Sequence, residues 1–465
     1  MDLWREALAA IRSGESKSKA LAQAIARDIE NGALKNGARM PPQRDLGARL
    51  GISVQTVTNA YQELERHGLI RCEVGRGSFV SRRKGEQVAV TILDRSERLL
   101  VDFSIARIVH TPEHEDQWCR TCSELSACSD QPWMRECRPI AGFEVHRAAG
   151  VAWLASLGLK TSPDRLLITN GASHAVFLAL ASLVRPGDVV LSESLVDHGV
   201  IGSAQVLGFT LKGLDIDEYG IQPDHFEDMC ANERITALVC TPNFNNPTVA
   251  LMPDSRRRAI ARIADRHGVH VIEDDVYGPL LAHRPAPISS HLPELGLYCT
   301  SFTKSVMCGL RTGYLSVPRR LALRVDSILR VNSWMGTPLL AEIATRWIGD
   351  GTANRLIEVQ RGRLQRRQEM VRSALGPHVR AQHPNALSAW IGIPKQWHID
   401  SLVRELRRRN IAVTAPDPFL VPSINARPAA FRLCVGAEVD DARAASALDT
   451  IRGVFEQCPK LNDFI

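Results

Sequence analysis

The sequence lacks any long apolar segment. No stretch reaches the roughly 18 consecutive apolar residues that a membrane-spanning helix needs. Charges are scattered through the first 19 residues, where a secretory signal would have an apolar core. With 45% hydrophobic and 23% charged residues, the composition is that of a globular protein. We therefore expect a cytoplasmic protein with no membrane role.

A complete metal-ligand motif is also missing. Cys119 and Cys122 form a C-x-x-C pair and Cys128 and Cys137 follow, but no second C-x-x-C completes a zinc site. Eleven cysteines, an odd number over 465 residues, favour reduced thiols over a disulfide framework. We expect no metal, and structural zinc at this cluster is the alternative.

Excess positive charge is absent from most of the chain. The first 84 residues contain 15 Lys and Arg against 9 Asp and Glu, whereas the remainder contains 42 of each. The whole net charge of +6 therefore lies in the N-terminal part. At this length more than one domain is expected. The asymmetry favours a nucleic-acid-binding module ahead of a small-molecule domain, because phosphates are neutralised by clustered cations.

The N-terminal part has the helix-start, turn and cap residues of a helix-turn-helix. The apolar period predicts a helix over residues 17–31, and Pro41-Pro42 opens a second, short helix. Gly51 then makes a turn, and Ser53 can cap a third helix that runs to about residue 67. Two strand-like runs, at 69–72 and 78–80, predict a hairpin wing.

The third predicted helix has an inward and an outward face. Its inward stripe consists of Val57, Ala60, Tyr61 and Leu64. The first turn is left outward, where it would enter a major groove. The outward residues are Gln55, Thr56 and Asn59.

Residues 40–80 resemble the winged-helix domain of the GntR regulator family. In that family, DNA is contacted by the Arg after the Pro-rich turn, by the first turn of the third helix and by the wing. The resemblance implies DNA-binding roles for Arg44, Gln55, Thr56 and Arg76. Val54 stands where several relatives have a basic residue, which implies a methyl contact with thymine there. For each DNA-binding candidate, a surface residue without a DNA partner is the alternative.

The C-terminal part alternates helical stretches with short β-branched runs. This alternation predicts an α/β domain with a mostly parallel sheet. We assign residues 1–83 to the DNA reader, 84–100 to a linker and 101–465 to this second domain. Ligands of such sheets bind beyond the carboxyl ends of the strands, so residues that follow the runs are site candidates.

Three motifs after these runs suit an anion and an aromatic ring. Thr169–Ser173 enters a helix through Gly171, which leaves backbone N–H groups for a phosphate. Asn246 can donate to a phenolic oxygen, with a simple Asn-Pro turn as the alternative. Asp274 ends an apolar strand and would stay ionised beside a protonated pyridine nitrogen. Taken alone, it could equally bind magnesium.

Three cationic side chains complete the set. Lys304 follows a strand, and its amine can form a Schiff base with an aldehyde once its pKa falls below the usual ~10.4. Arg311 could pair with a phosphate, and the planar fork of Arg432 suits a carboxylate. A surface strand arginine is the alternative for Arg432.

The order of these motifs resembles the fold type I pyridoxal phosphate (PLP) enzymes, the aspartate aminotransferase superfamily, from about residue 101 to 460. The resemblance implies PLP as cofactor, an internal aldimine on Lys304 and a pairing of Asp274 with the pyridine nitrogen. Asn246 and Tyr277 would bind the ring oxygen, and Arg432 would bind the carboxylate of an amino-acid ligand. The implied phosphate site comprises Gly171, Ala172, Ser173, Ser301 and Arg311.

One position departs from the superfamily pattern. Relatives stack an aromatic residue from a motif like E-x-P-x-Y on the cofactor ring, and direct alignment places Asp197 there. His198 is the adjacent residue able to stack. We assign His198 the stacking role, with a residue unrelated to the ring as the alternative.

The fusion of the two domains resembles the MocR subfamily of GntR regulators. It implies a head-to-tail homodimer that binds double-stranded operator DNA and senses an amine or amino acid by external aldimine formation. Subfamily effectors include a diaminobutyrate, GABA and taurine. We expect a sensor more than an enzyme. The alternatives are an active aminotransferase with a DNA-binding appendage and a repressor whose sensor has lost its cofactor.

Overall fold

The computed structural model describes residues 4, 17–30, 34, 37–66, 69–73, 77–80, 100–128, 131–422, 427–438 and 440–457. The chain divides into two compact units, residues 1–92 and 93–465. Of the predicted linker, residues 84–99 lie outside the described residues, so the linker limits remain a prediction.

The first unit contains three helices: α1 (Lys17–Glu30), α2 (Gln43–Leu50) and α3 (Val54–Arg66). Gly51 ends α2 in the left-handed conformation, with φ of +68°, as the predicted turn requires. The Ser53 hydroxyl accepts the backbone N–H of Thr56 at 3.1 Å, as a cap does. The inward stripe of α3 is buried as predicted, at Val57, Ala60, Tyr61 and Leu64.

The predicted wing is a two-stranded antiparallel hairpin of β1 (Ile70–Glu73) and β2 (Gly77–Val80). The β2 strand also pairs, through a bridge between Phe79 and Arg39, with the segment that precedes α2. The helices and the hairpin enclose one apolar cluster, which includes Leu21, Ile25, Leu46 and Val80. The first unit therefore has its own core.

The second unit is built on a seven-stranded sheet of β4 (Leu166–Thr169), β5 (Val189–Glu193), β6 (Thr210–Leu214), β9 (Ala237–Cys240), β10 (His270–Asp274), β11 (Gly296–Ser301) and β12 (Gly313–Ser316). Their order in the sheet is β4-β12-β11-β10-β9-β5-β6. Six of the strands run parallel to one another, and β12 runs antiparallel to its neighbours β11 and β4. This confirms the predicted mostly parallel sheet.

Both faces of this sheet are buried. Val190, Val239 and Ile272 belong to one apolar cluster. Their chain neighbours Leu191, which follows Val190, and Leu238, which precedes Val239, belong to another. Alternate residues of a strand point to opposite faces, so helices must cover both. The helices are α4 (Pro112–Ser126), α5 (Pro132–Arg135), α6 (Glu144–Ser156), α7 (Ala172–Leu183), α8 (His198–Leu207), α9 (Pro223–Asn232), α10 (Asp254–His267), α11 (Ala322–Asn332), α12 (Pro338–Gly349), α13 (Thr352–Leu375), α14 (Ile399–Arg408) and α15 (Asp441–Phe455).

Smaller strands complete the second unit. An antiparallel sheet contains β13 (Val379–Ala381), β14 (Ser388–Gly392) and β16 (Ala430–Cys434), and two short pairs join β3 (Val101–Asp102) to β15 (Ile411–Ala412) and β7 (Ile216–Asp217) to β8 (Gly220–Ile221). In the part of the chain that is described, no helix is both long and apolar enough to cross a membrane.

Candidate functional site

The predicted site residues follow the carboxyl ends of the parallel strands. Gly171 follows β4, Asn246 lies in the segment after β9, Asp274 ends β10 and Lys304 comes three residues after β11. Because these strands run in the same direction, their carboxyl ends meet at one edge of the sheet. The topology therefore brings together residues that are more than 130 positions apart in sequence.

Asp274 is half-buried at the end of β10, and no cation among the described residues neutralises its carboxylate. Its Oδ1 is buried and, among those residues, has no hydrogen-bond partner. Burial, together with the negative charges of Asp197 and Asp275, raises the pKa of Asp274 to about 7. A buried carboxylate is stabilised by a cation that reaches it. A protonated pyridine nitrogen fits this requirement.

The N-terminus of α7 forms a cradle for an anion. Gly171 precedes the helix with φ of +91°, and no side chain caps it. A Cβ at Gly171 would lie 3.1 Å from Nη2 of Arg311, so the guanidinium lies against this turn. Ser301 Oγ is buried and, within the described residues, lacks a partner. Free backbone N–H groups, a hydroxyl and a guanidinium fit a phosphate. Ala172 and Ser173 form the first turn of the helix.

Asn246 and Arg432 are joined by a hydrogen bond. Arg432 Nη1 donates to Asn246 Oδ1 at 2.7 Å, and Asn246 Nδ2 donates to Asp197 Oδ2 at 2.9 Å. Arg432 is only 8% exposed, and its guanidinium lies 4.7 Å from the centre of the Phe419 ring. Its Nε is buried without a partner among the described groups. This guanidinium is placed to bind a carboxylate.

Lys304 is largely buried beside these groups. Burial lowers the pKa of its amine, which raises the fraction of neutral, nucleophilic amine. Lys304 Nζ donates to the backbone carbonyl of Ala106. The phenol of Tyr277 is buried nearby, and its pKa is raised by burial and by the negative charge of Asp197. The site thus combines an amine suited to an aldehyde with groups suited to a ring and a phosphate.

Asp197, and not His198, contacts the other site residues. The Asp197 carboxylate accepts from Asn246 and, at 2.9 Å, from the backbone N–H of Gly199 at the start of α8. His198 is exposed, and its Nδ1 lies 3.7 Å from Asp197 Oδ2. The stacking role of His198 gains no support from these contacts and remains a prediction from sequence.

When PLP is added to the purified chain, we expect Asp197→Asn to alter the absorption spectrum more than His198→Ala does. Removing the carboxylate removes a negative charge that favours protonated nitrogen at Lys304. The pH midpoint of the visible band should fall by about one unit, as followed by absorbance from pH 6 to 10. If His198→Ala moved the midpoint and Asp197→Asn did not, the assignment of His198 to the ring would be correct.

A buried polar network supports the strand ends. Arg257, fully buried on α10, donates to Asn243 Oδ1 at 2.6 Å. Asn243 Nδ2 in turn donates to Asp275 Oδ1 at 2.5 Å, and the Tyr298 hydroxyl donates to the same carboxylate. The network connects the segment that contains Asn246 to the end of β10. It therefore holds Asn246 and Asp274 in place relative to each other.

Three of the four DNA-binding candidates are among the described residues of the first unit. Arg44 and Gln55 are exposed on α2 and α3, and Gln55 Nε2 donates to Asn59 Oδ1 at 2.9 Å. Thr56 is half-buried, with its hydroxyl 2.8 Å from that of Ser53. The fourth candidate, Arg76, lies outside the described residues.

The cysteine cluster does not form a metal site among the described residues, since no three His, Cys, Asp or Glu side chains group there as ligands. Cys119 and Cys122 lie on α4, Cys128 and Cys137 come after the end of that helix, and all four are free thiols.

Comparison with known proteins identifies both units. Residues 126–451, most of the chain, match the family model for aminotransferase class I and II. The chain belongs to this family. Residues 17–80 match the model for bacterial regulatory proteins of the gntR family. A GntR reader followed by an aminotransferase domain is the MocR-type architecture, so the protein is a MocR-type transcription regulator.

Curated relatives match this chain over two thirds or more of their own length. The chain is 28% identical to the uncharacterized HTH-type transcriptional regulator YdeF of Bacillus subtilis over 87% of each chain. It is 26% identical to the HTH-type transcriptional regulator TauR of Rhodobacter capsulatus, over 66% of this chain and 69% of TauR. It is 25% identical to the probable rhizopine catabolism regulatory protein MocR of Rhizobium meliloti, over 68% of each.

Solved structures confirm the fold of the large unit. An archaeal alanine:glyoxylate aminotransferase superposes with a TM-score of 0.70 at 18% identity, over 77% of this chain and 91% of that one. The α-aminoadipate aminotransferase LysN of Thermus thermophilus gives 0.69 at 21% identity, over 77% and 92%. The MocR-type regulator therefore has the fold type I aminotransferase architecture predicted from its motifs.

Proposed function

We propose that this MocR-type regulator binds PLP at Lys304, and that an amine or amino acid which displaces Lys304 changes how the chain binds operator DNA. The observation that carries the proposal is the unneutralised Oδ1 of Asp274 at the sheet edge shared with Lys304. When bound, PLP supplies an aldehyde that reacts reversibly with primary amines.

Different residues of the chain would bind the phosphate of PLP, its ring and the effector carboxylate. The turn at Gly171, Ala172 and Ser173, with Ser301 and Arg311, would hold the phosphate, and Asp274 would hold the ring nitrogen. Asn246 and Tyr277 would donate to the ring oxygen. Arg432 would orient an effector carboxylate. The proposed effector class is therefore amino acids, including GABA-like ω-amino acids and diaminobutyrates. A sulfonate such as that of taurine would bind to the same guanidinium.

We also propose a head-to-tail homodimer. Aminotransferase-like domains typically form dimers, and exposed apolar side chains of the large unit support an interface. Leu323 and Val331 on α11 are 83% and 88% exposed, and Trp334 and Leu339 follow in sequence. Burial of this surface in a partner would remove it from water.

The competing function is an active aminotransferase with a DNA-binding appendage. The presence of Lys304, Asp274 and Arg432 together favours retained turnover. Incubation of PLP-loaded protein with an amino acid and a keto acid distinguishes the two functions. The proposal predicts a yellow protein whose DNA binding responds to an amine without sustained keto-acid production. A protein that stays colourless with added PLP would contradict both functions.

We expect Arg44→Ala to weaken DNA binding and to reduce its salt dependence. Loss of one phosphate contact should lower the slope of log K against log salt by about one. Fluorescence anisotropy with a duplex that the wild-type protein binds measures the slope. Lys17→Ala, which removes the same charge from the exposed start of α1, is the matched control. Equal slopes for Arg44→Ala and wild type would exclude a phosphate contact at Arg44.

A further inference from the structure

Residues Val101–Val109, here called the strap, cross the candidate site and are fixed at both ends. At one end, β3 pairs in parallel with β15, and Phe103 N–H donates to Ala412 O at 2.8 Å. At the other end, the backbone of Val109 bonds twice to the buried side-chain amide of Gln360, at 3.0 and 2.6 Å. The middle of the strap lies between these two anchors.

The middle of the strap bonds to two of the three cations of the candidate site, Arg432 and Lys304. Arg432 Nη2 donates to Ser104 O at 2.5 Å, and Thr414 Oγ1 donates to the same carbonyl at 2.9 Å. Two residues further on, Ala106 O accepts from Lys304 Nζ. Ile105, between these carbonyls, is 45% exposed. The strap therefore contacts the amine proposed to bind the cofactor and the guanidinium proposed to bind the effector.

These bonds depend on what each cation binds. With its nitrogen double-bonded to the aldehyde carbon of PLP, Lys304 would no longer have the free amine that donates a hydrogen bond to Ala106 O. If another amine replaced Lys304 on the aldehyde carbon, the C=N bond to Lys304 would give way to one with the new nitrogen, and the two hydrogens of that amine would pass to Lys304. No oxidation or reduction occurs. The freed amine can then donate to Ala106 again, while an effector carboxylate competes with Ser104 for Arg432.

We propose that the strap senses whether Lys304 is bound or free and passes this state to the chain that leads to the DNA reader. The strap begins directly after residue 100, at the end of the segment connecting in sequence to the first unit. A change in the strap therefore acts where the connecting segment joins the effector domain. The inference rests on the proposed function, because it assumes that Lys304 binds PLP.

Hydrogen–deuterium exchange of the full chain tests the strap in three states: without cofactor, with PLP, and with PLP followed by hydroxylamine. Hydroxylamine takes the aldehyde from any PLP-bound lysine, so the natural effector need not be known. Exchange in peptides covering 101–109 should rise about tenfold with PLP, because the strap loses its hydrogen bond from Lys304. It should return towards the first level with hydroxylamine. Unchanged strap exchange while the yellow band forms and disappears would overturn the inference.

Two variants make the result independent of PLP binding. Lys304→Met should raise strap exchange without any cofactor, and neither PLP nor hydroxylamine should change it further. Thr414→Val removes the second donor to Ser104 O and should raise exchange there, whereas Thr450→Val, whose hydroxyl bonds only within α15 at Ser446 O, should not. If no yellow band forms, the proposed function fails. If cofactor-free Lys304→Met also matches wild type, the strap inference fails separately.

Discussion

Replacing Lys304 with alanine should abolish covalent retention of PLP and the response to amines, while DNA affinity stays within about twofold of wild type. The amine is the group that binds the aldehyde, so its loss leaves only the phosphate and ring contacts. The DNA reader keeps its own apolar core, which includes Leu21, Val57 and Leu64. Absorbance after exhaustive dialysis reports cofactor retention, and anisotropy with operator DNA reports binding.

Lys160→Ala is the matched control, because Lys160 is an exposed lysine of the same unit. It should retain the yellow band and the amine response. A Lys304→Ala protein that is folded but no longer binds DNA would contradict the separation of the reader from the sensor.

Replacing Asp274 with asparagine should have opposite effects on cofactor affinity and on the stability of the cofactor-free chain. The amide is neutral and cannot balance a pyridinium charge, so PLP affinity should fall at least about tenfold. Without cofactor, the same change removes a carboxylate whose buried Oδ1 has no hydrogen-bond partner among the described residues. A titration with PLP and a urea unfolding series measure the two effects.

The stability effect should depend on pH. The pKa of Asp274 is raised to about 7 in the folded chain, against ~3.9 in an unfolded chain. Between these values the folded chain keeps a proton that the unfolded chain has lost, so stability falls as pH rises through this window. Asparagine does not titrate. Cofactor-free Asp274→Asn should therefore exceed wild type by at least about 1 kcal/mol at pH 8 and match it near pH 4.

Asp449→Asn provides the control for charge removal, because the side chain of Asp449 is 60% exposed. It should change neither the pH dependence nor PLP affinity. A wild-type chain that is as stable as Asp274→Asn at pH 8 without cofactor would show that Asp274 is neutralised by a group of the chain itself.

The fold was predictable where one local signal determined each element. The apolar stripe of α3 and the turn at Gly51 fixed the helix-turn-helix, because side-chain burial and a positive φ leave direct traces in sequence. The β-branched runs predicted the parallel strands. The rule that ligands bind at strand carboxyl ends then predicts that Asn246, Asp274 and Lys304 lie at one edge of the sheet.

Other parts of the site leave no such trace. The strap contributes the backbone carbonyls of Ser104 and Ala106, and a carbonyl acceptor is common to every residue type. Asp197 and His198 are adjacent at the start of a helix, and only the structure shows which one contacts Asn246. Arg257 lies in the charged segment DSRRRAIARI, where a sequence pattern predicts exposure and not full burial.

The central claim is that cofactor chemistry at Lys304 controls DNA binding. The most direct measurement titrates PLP-loaded protein with a panel of amines and amino acids, and follows the visible band and operator affinity in the same samples. We predict that one amine changes both signals with the same midpoint, and that neither signal responds in Lys304→Ala. A panel in which amines alter the band and yield keto acid, while operator affinity stays constant throughout, would contradict the account.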